Sequence, residues 1–230
     1  MLELDKQLFL LINGAHTPWL DPVMTFVTSA YTWIPFYVLL FVYLLYKKEY
    51  NLSNPFKKSS ELNNSCAHNN LNNAGTQSDF IIAGGWKIAL FILAATMLTF
   101  LLTDQISASI IKPLVHRLRP SHDPATENIA RFITGRGGMY GFVSNHAANF
   151  FGLAAITTLF IRKKWYTWLI FFIAILVSYS RIYVGKHFPG DVICGAILGY
   201  AIGLGIYFLA RKIYLQYFNN CSAHTRSQTT

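Results

Sequence analysis

The chain has 230 residues, 53% of them hydrophobic and only 13% charged, with a formal net charge of +9 at pH 7. Soluble domains carry about 25% charged residues, so this composition argues against a soluble protein and favours one integral-membrane domain, residues 1–230. The positive charge suits cytoplasmic loops and an anion site. Nucleic acid is excluded as an expected partner because no soluble segment carries a basic helix or stripe.

The first predicted element is a short helix over residues 3–14. The segment combines Glu3, Asp5 and Lys6 with leucine and phenylalanine and is too short to span a bilayer. Its pattern predicts an amphipathic helix that lies in the membrane interface or packs against the rest of the bundle.

Five apolar segments predict an all-α bundle of about five membrane-spanning helices. They are residues 23–46, 80–103, 144–161, 165–179 and 192–210. The first could extend over about 36 Å at about 1.5 Å per residue, enough to cross a hydrocarbon core of about 30 Å. Pro35 either kinks it or marks the start of a new helix. Six spans result if residues 3–14 and 19–30 insert more deeply.

The remaining segments are polar. Residues 50–79 are rich in Asn and Ser without apolar periodicity, which predicts a mobile cytoplasmic loop. A catalytic core over 80–212 and a polar tail over 213–230 follow. Glycines recur every four residues from Gly195 to Gly203, a spacing that lets membrane helices approach closely.

The positive-inside rule predicts the orientation. Basic residues at 47–58, 162–164 and 211–212 fall on one side of a five-span bundle, which is therefore expected to be cytoplasmic. The connection 104–143 and the stretch 180–191 then share the outer side of a cytoplasmic (inner) membrane, facing the periplasm or the exterior.

Those outer segments supply fixed positive charge. Lys112, Arg119 and Arg181 are expected to converge on the N-terminal turn of a helix at Ser144–Asn145. Guanidinium, ammonium and helical N–H groups together suit a compact oxyanion such as phosphate. Cys66, Cys194 and Cys221 are an odd number without paired spacing, and neither a metal nor another cofactor is expected.

Two histidines complete the predicted site. His187 and Asp191 are four residues apart, so a helix that begins near His187 would let the carboxylate hold one ring nitrogen and leave the other free to attack. His146, from another helix, can protonate a leaving oxygen. The residues alone leave open which histidine attacks.

These motifs resemble a known family. K-x6-R-P at 112–120, S-x-H at 144–146 and S-R-x5-H-x3-D at 180–191 resemble the three signatures of the type 2 phosphatidic acid phosphatase (PAP2) family, which shares its core with vanadium-dependent haloperoxidases. The resemblance implies that His187 forms a phosphohistidine and that His146 is the general acid and then the base.

The resemblance also implies supporting roles and a substrate class. Asp191 would orient the nucleophile, and the cations and the Ser144–Asn145 turn would bind phosphoryl oxygens. The expected substrate is an anionic membrane lipid: lipid A phosphate or undecaprenyl pyrophosphate is favoured by the basic residues in 112–136, with phosphatidylglycerol phosphate and phosphatidate as further options. A vanadate-dependent haloperoxidase and a non-catalytic anion-binding membrane protein are the alternatives.

Overall fold

The structure is a computed structural model that describes residues 2–47, 49–52, 81–83 and 85–227. Most of the predicted loop 50–79 therefore lies outside the described residues. Its flanks form a short antiparallel pair in which β1 (Glu49–Asn51) runs beside β2 (Ile81–Ala83). The rest of the described chain is mostly helical, as the apolar pattern predicts, and the connection 116–144 consists of turns and extended residues with one isolated bridge between Leu118 and Tyr140.

The first predicted span is broken rather than continuous. Helix α2 (Leu20–Thr28) ends in an extended residue, and a 3₁₀ turn (Ala30–Trp33) leads into α3 (Ile34–Tyr46), with a bend of 72° between the two parts. Pro35 lies in the first turn of α3, where proline costs no hydrogen bond. Of the two predicted roles for Pro35, the start of a new helix is therefore confirmed.

The N-terminal helix α1 (Leu2–Gly14) packs against the bundle. Phe9 is fully buried and contacts Phe188 edge to face, with 5.2 Å between the ring centroids. Asn13 donates to the backbone carbonyls of Arg131 and Tyr183 at 2.9 and 2.8 Å. An aromatic contact with Phe188 and a hydrogen bond to Tyr183 therefore hold α1 against the 180–191 stretch.

The next helix carries Lys112 to its outer end. Helix α4 (Trp86–Gln105) continues through a π-helical turn (Ile106–Ile111) into α5 (Lys112–Val115), which gives a continuous 30-residue helix. His116 ends it in a left-handed conformation. The helix therefore continues well beyond the predicted span, into the connection 104–143.

Three further helices complete the bundle. They are α6 (Asn145–Ile161), α7 (Lys164–Tyr183) and α8 (Pro189–Ser227). In the described chain, α4–α5, α7 and α8 are long and apolar enough to cross a membrane, and the bent pair would be a fourth crossing. Helix α6 has 17 residues, about 26 Å, and is mostly buried among the others. The predicted polar tail is helical through residue 227, which extends the helix beyond the expected end.

The predicted glycine face is the contact between α6 and α8. A Cβ added at Gly199 would lie 1.9 Å from the carbonyl oxygen of Ala148, and one at Gly195 or Gly203 would lie 2.6 Å from a backbone oxygen of α6. The two backbones therefore touch because α8 has no side chains there. This contact sets the position of the start of α6 against the start of α8.

Replacing Gly199 with alanine should destabilise the protein by about 3 kcal/mol, because the new methyl group meets a backbone that cannot move away. Gly205→Ala is the matched control on the same helix, since nothing lies within 4 Å of its added Cβ. Thermal unfolding of both variants in detergent measures the effect. Equal melting temperatures for the two would contradict the close contact.

Candidate active site

The three predicted segments meet at one end of the bundle. The backbone N–H of Ser144 donates to the carbonyl oxygen of Asp191 at 2.9 Å, which joins the start of α6 to the start of α8. Residues 135–141, which are rich in glycine, fold back along residues 117–119. Arg119 N–H donates to Met139 O, and Gly141 N–H donates to Arg117 O, both at 2.9 Å. Backbone hydrogen bonds between the segments, and not side-chain contacts alone, therefore hold the site together.

His187 lies near enough to the three predicted cations to be affected by the charge of each. Its side chain is almost fully buried. Burial holds the pKa of the imidazole well below its ordinary value, and the nearby charges of Arg119, Arg181 and Lys112 lower it further. The structure thus brings all three cations to one neutral imidazole, which keeps a lone pair available for attack.

Asp191 supports the opposite side of that ring. Its Oδ2 lies 3.5 Å from Nδ1 of His187 and accepts the backbone N–H of Phe188 at 3.1 Å. The helix begins at Pro189, after His187 rather than at it. The imidazole therefore precedes the first turn, and Asp191 reaches it from inside that turn instead of along a shared helical face.

Arg117 is a neighbour of the site that none of the sequence motifs singles out. Its Nη1 donates to Oδ1 of Asp191 at 2.8 Å, and its Nη2 donates to the carboxylate of Asp5. Its guanidinium also lies 4.7 Å from the ring centroid of Phe188. An ion chain therefore runs from α1 through Arg117 to the carboxylate beside His187. No local pattern signals it, because Asp5 and Asp191 are far apart in sequence.

Two other basic side chains are also occupied by protein partners. Arg131 Nη2 donates to Asp21 at 2.9 Å, and Lys186 Nζ donates to the carbonyls of Thr134 and Gly135 at 3.0 and 2.7 Å. Burial lowers the pKa of Lys186, and the charges of nearby arginines add to the effect. Arg131 is one of the basic residues in 112–136 that favoured a large anionic headgroup. Because it pairs with Asp21, it gives less support to that prediction.

Lys112 is held from the start of α6. Its Nζ donates to Oδ1 of Asn145, and Nδ2 of Asn145 donates to Asp104 at 2.6 Å. Asp104 thus supports an outer cation through an intervening amide. The Asn145 side chain is engaged with the protein, so its contribution to an anion would come from its backbone N–H. The hydroxyl of Ser144 is buried and has no hydrogen-bond partner among the described residues.

His146 occupies the first turn of α6. The backbone of Thr28 hydrogen-bonds its imidazole, and the charges of Arg181, His187 and Arg119 all act on it. Both imidazoles are therefore exposed to the charges of Arg119 and Arg181, His146 from the first turn of α6 and His187 from the turn before α8. A neutral buried nucleophile, a second imidazole and three cations can bind a phosphoryl group and exchange protons with it.

The imidazole of His187 should remain neutral as the pH falls through about 6.5. Its folded-state pKa is depressed, so the stability that it contributes is present above the unfolded pKa and is lost below it. Nitrogen NMR of histidine-labelled protein, with the signal identified by its loss in His187→Gln, measures this. A titration midpoint at or above about 6.5 would contradict the buried cationic environment.

Comparison with known proteins agrees with this geometry. The PAP2 superfamily model matches residues 85–214. The chain is 35% identical over 216 residues to a lipid A 4′-phosphatase of Porphyromonas gingivalis, covering 94% of this chain and 75% of the relative. It is 34% identical over 213 residues to a lipid A 4′-phosphatase of Bacteroides thetaiotaomicron, covering 92% of this chain and 79% of the relative.

Solved structures show the same fold. The crystal structure of Aquifex aeolicus LpxE matches with a TM-score of 0.55 at 24% identity, covering 88% of this chain and 94% of that one. A transmembrane PAP2 type phosphatidylglycerolphosphate phosphatase from Bacillus subtilis matches with a TM-score of 0.50 at 20% identity, covering 93% and 86%. The family model covers more than half of the chain, and the chain therefore belongs to the PAP2 superfamily.

Proposed function

We propose that this membrane lipid phosphatase removes a phosphate monoester from lipid A through a phosphohistidine on His187. The observation that carries the proposal is the buried imidazole of His187, which is subject to the charges of Lys112, Arg119 and Arg181 and lies 3.5 Å from Asp191. Three cations match the charge that a phosphoryl group develops during transfer. The site lies at the ends of membrane-spanning helices, where a lipid headgroup would be the first ligand to meet it.

The proposed reaction has two steps. In the first, Nε2 of His187 attacks phosphorus and the phosphorus–oxygen bond to the sugar breaks, while His146 gives its proton to the leaving oxygen. In the second, His146 takes a proton from water, the oxygen of that water attacks phosphorus, and the bond to Nε2 breaks. In both steps Asp191 would accept from Nδ1–H, which selects the tautomer with a free Nε2. This requires the 3.5 Å approach to shorten, because Nδ1 has no hydrogen-bond partner among the described residues. Lipid alcohol and inorganic phosphate leave.

Each phosphate oxygen has a proposed partner. The cations and the backbone N–H groups of the Ser144–Asn145 turn would bind the non-bridging oxygens. The hydroxyl of Ser144, which has no hydrogen-bond partner among the described residues, would donate to the same anion. This bond would remove the free-energy cost of burying an unpaired hydroxyl. The Asn145 side chain would contribute by orienting Lys112.

The relatives support lipid A over other lipids. Both long matches, which extend over more than 90% of this chain, are named lipid A 4′-phosphatase. The match to an undecaprenyl-diphosphatase of Sulfolobus acidocaldarius covers only 61 residues, 26% of the chain. We therefore place lipid A first and a polyprenyl pyrophosphate second. The positive-inside rule supports a site on the outer face of the inner membrane.

Phosphate release from a panel of purified lipids in detergent tests the proposal. The panel would contain lipid A, undecaprenyl pyrophosphate, phosphatidylglycerol phosphate and phosphatidate. Mass spectrometry of the lipid A product would show which phosphate is lost. Preferred loss of the 4′-phosphate supports the assignment, whereas a higher kcat/KM for another lipid, or turnover of none, overturns it.

EDTA should leave phosphate release unchanged. The cations at His187 are expected to stabilise the developing negative charge, which in other phosphatases a metal ion can do. Activity measured before and after dialysis against EDTA checks this. A large loss that added Mg²⁺ restores would show that the reaction requires a metal.

A further inference from the structure

The break in the first predicted span leaves backbone carbonyls without helical partners. A helix end exposes its last carbonyls, which must be satisfied elsewhere. Thr32 Oγ1 donates to Phe26 O at 2.6 Å, and Trp33 Nε1 donates to Val27 O at 2.9 Å. Phe26 O also accepts from the backbone N–H of Ser29 at 3.2 Å. The backbone of Thr28, two residues further along, contributes a hydrogen bond to the imidazole of His146. The carbonyls of Phe26 and Val27 are therefore satisfied within the break, whereas the backbone of Thr28 meets the active site.

The side chain of the same residue reaches a second group of the site. Thr28 is buried, with 7% of its surface exposed. Nη1 of Arg181 donates to Thr28 Oγ1 at 2.6 Å. Arg181 itself is 9% exposed, and its Nε has no partner among the described residues. The hydroxyl of Thr28 is therefore an uncharged hydrogen-bond partner for a guanidinium whose Nε has no partner among the described residues.

A neutral hydroxyl is suited to this position. A carboxylate there would neutralise Arg181 and compete with an anionic ligand, whereas a hydroxyl fixes the orientation of the guanidinium and leaves its charge available. The remaining N–H groups of Arg181 can then point toward the space between His146 and His187. One residue on α2 thus contacts two groups of the site that come from α6 and α7.

We infer that Thr28 is a positioning residue of the phosphate site. Its hydroxyl orients Arg181 for anion binding, and its backbone orients the ring of His146. The broken first span is therefore part of the active site and does more than anchor the protein in the membrane. The inference rests on the proposed function in assigning phosphate as the anion, but its test requires no turnover of any lipid.

Binding of inorganic phosphate to the purified full-length protein, measured by calorimetry, tests the inference. Thr28→Val removes the hydroxyl at nearly constant volume and should weaken phosphate binding about 10-fold. Thr28→Ser keeps the hydroxyl and should restore binding to within about twofold of wild type. Thr32→Val is the matched control, because it removes a hydroxyl bond at the same break that does not reach the site, and it should bind as wild type does.

A double-mutant cycle separates positioning from a structural role. In an Arg181→Lys background, Thr28→Val should cause little further loss, because the contact on Nη1 is already absent. Undiminished binding in Thr28→Val, equal losses in the valine and serine variants, or full additivity with Arg181→Lys would each overturn the inference. If Thr28→Val does not fold, Thr28→Ala provides the same comparison with serine. Failure of lipid A hydrolysis alone would reject the proposed function and leave this result intact.

Discussion

Replacement of His187 with alanine should lower kcat by about 10⁴-fold or more and leave the protein folded. The imidazole is the nucleophile in the proposed reaction, and removal of a nucleophile from an assembled site typically costs this much or more. The buried side chain makes only a 3.5 Å approach to Asp191, so little structural support is lost. Phosphate release and thermal unfolding in detergent measure the two effects separately.

His116→Ala is the matched histidine control. His116 is exposed and lies edge to face on Tyr140, with 4.9 Å between ring centroids. Its loss should change kcat by no more than about twofold, as for a surface substitution. Brief mixing with radiolabelled substrate should trap phosphoprotein in wild type and none in His187→Ala. Turnover by His187→Ala near the wild-type rate would show that another residue attacks.

Asp191→Asn should lower kcat by about 10³- to 10⁴-fold. The change keeps the shape of the side chain but removes the charge that selects the tautomer of His187, and the equivalent change in a serine protease triad costs a comparable factor. It also leaves Arg117 facing an amide at a position where the carboxylate is fully buried. Steady-state kinetics, with melting temperature as the check on folding, measure the effect.

Asp5→Asn is the matched control for the ion chain. Asp5 contacts the same arginine from α1 but does not reach His187. Arg117 keeps its bond to Asp191 in this variant, so kcat should fall by less than about 10-fold. Equal losses in Asp5→Asn and Asp191→Asn would mean that both carboxylates act only by holding Arg117 in place.

Several features could be predicted from sequence because each depends on local composition. Apolar segments of sufficient length predict membrane helices, and each of the five predicted segments contains one. The first is broken, and the second becomes helical only at Trp86, after the strand Ile81–Ala83. The glycine spacing predicts the close contact of α8 with α6. The spacing within three motifs predicts which cations and imidazoles belong together, and the structure places them around His187.

Other features depended on contacts between distant segments. The carboxylate of Asp5 meets Arg117 across 112 residues, and Thr28 meets Arg181 across 153. No periodicity records such a pairing, because it results from how α1 and α2 pack on the bundle. A basic residue of the region 112–136 also proved to have a partner within the protein, since Arg131 forms an ion pair with Asp21.

The sequence by itself determined a membrane bundle and singled out three cations and two histidines as the candidate site, since length, hydropathy and motif spacing are properties of short stretches. Only the tertiary structure decided that the first span breaks at residue 29 and that the hydroxyl of Thr28 contacts Arg181. Only it decided that Asn145 binds Lys112. The reason is physical: a buried polar group must find a partner, and in these cases the partner lies on a different helix.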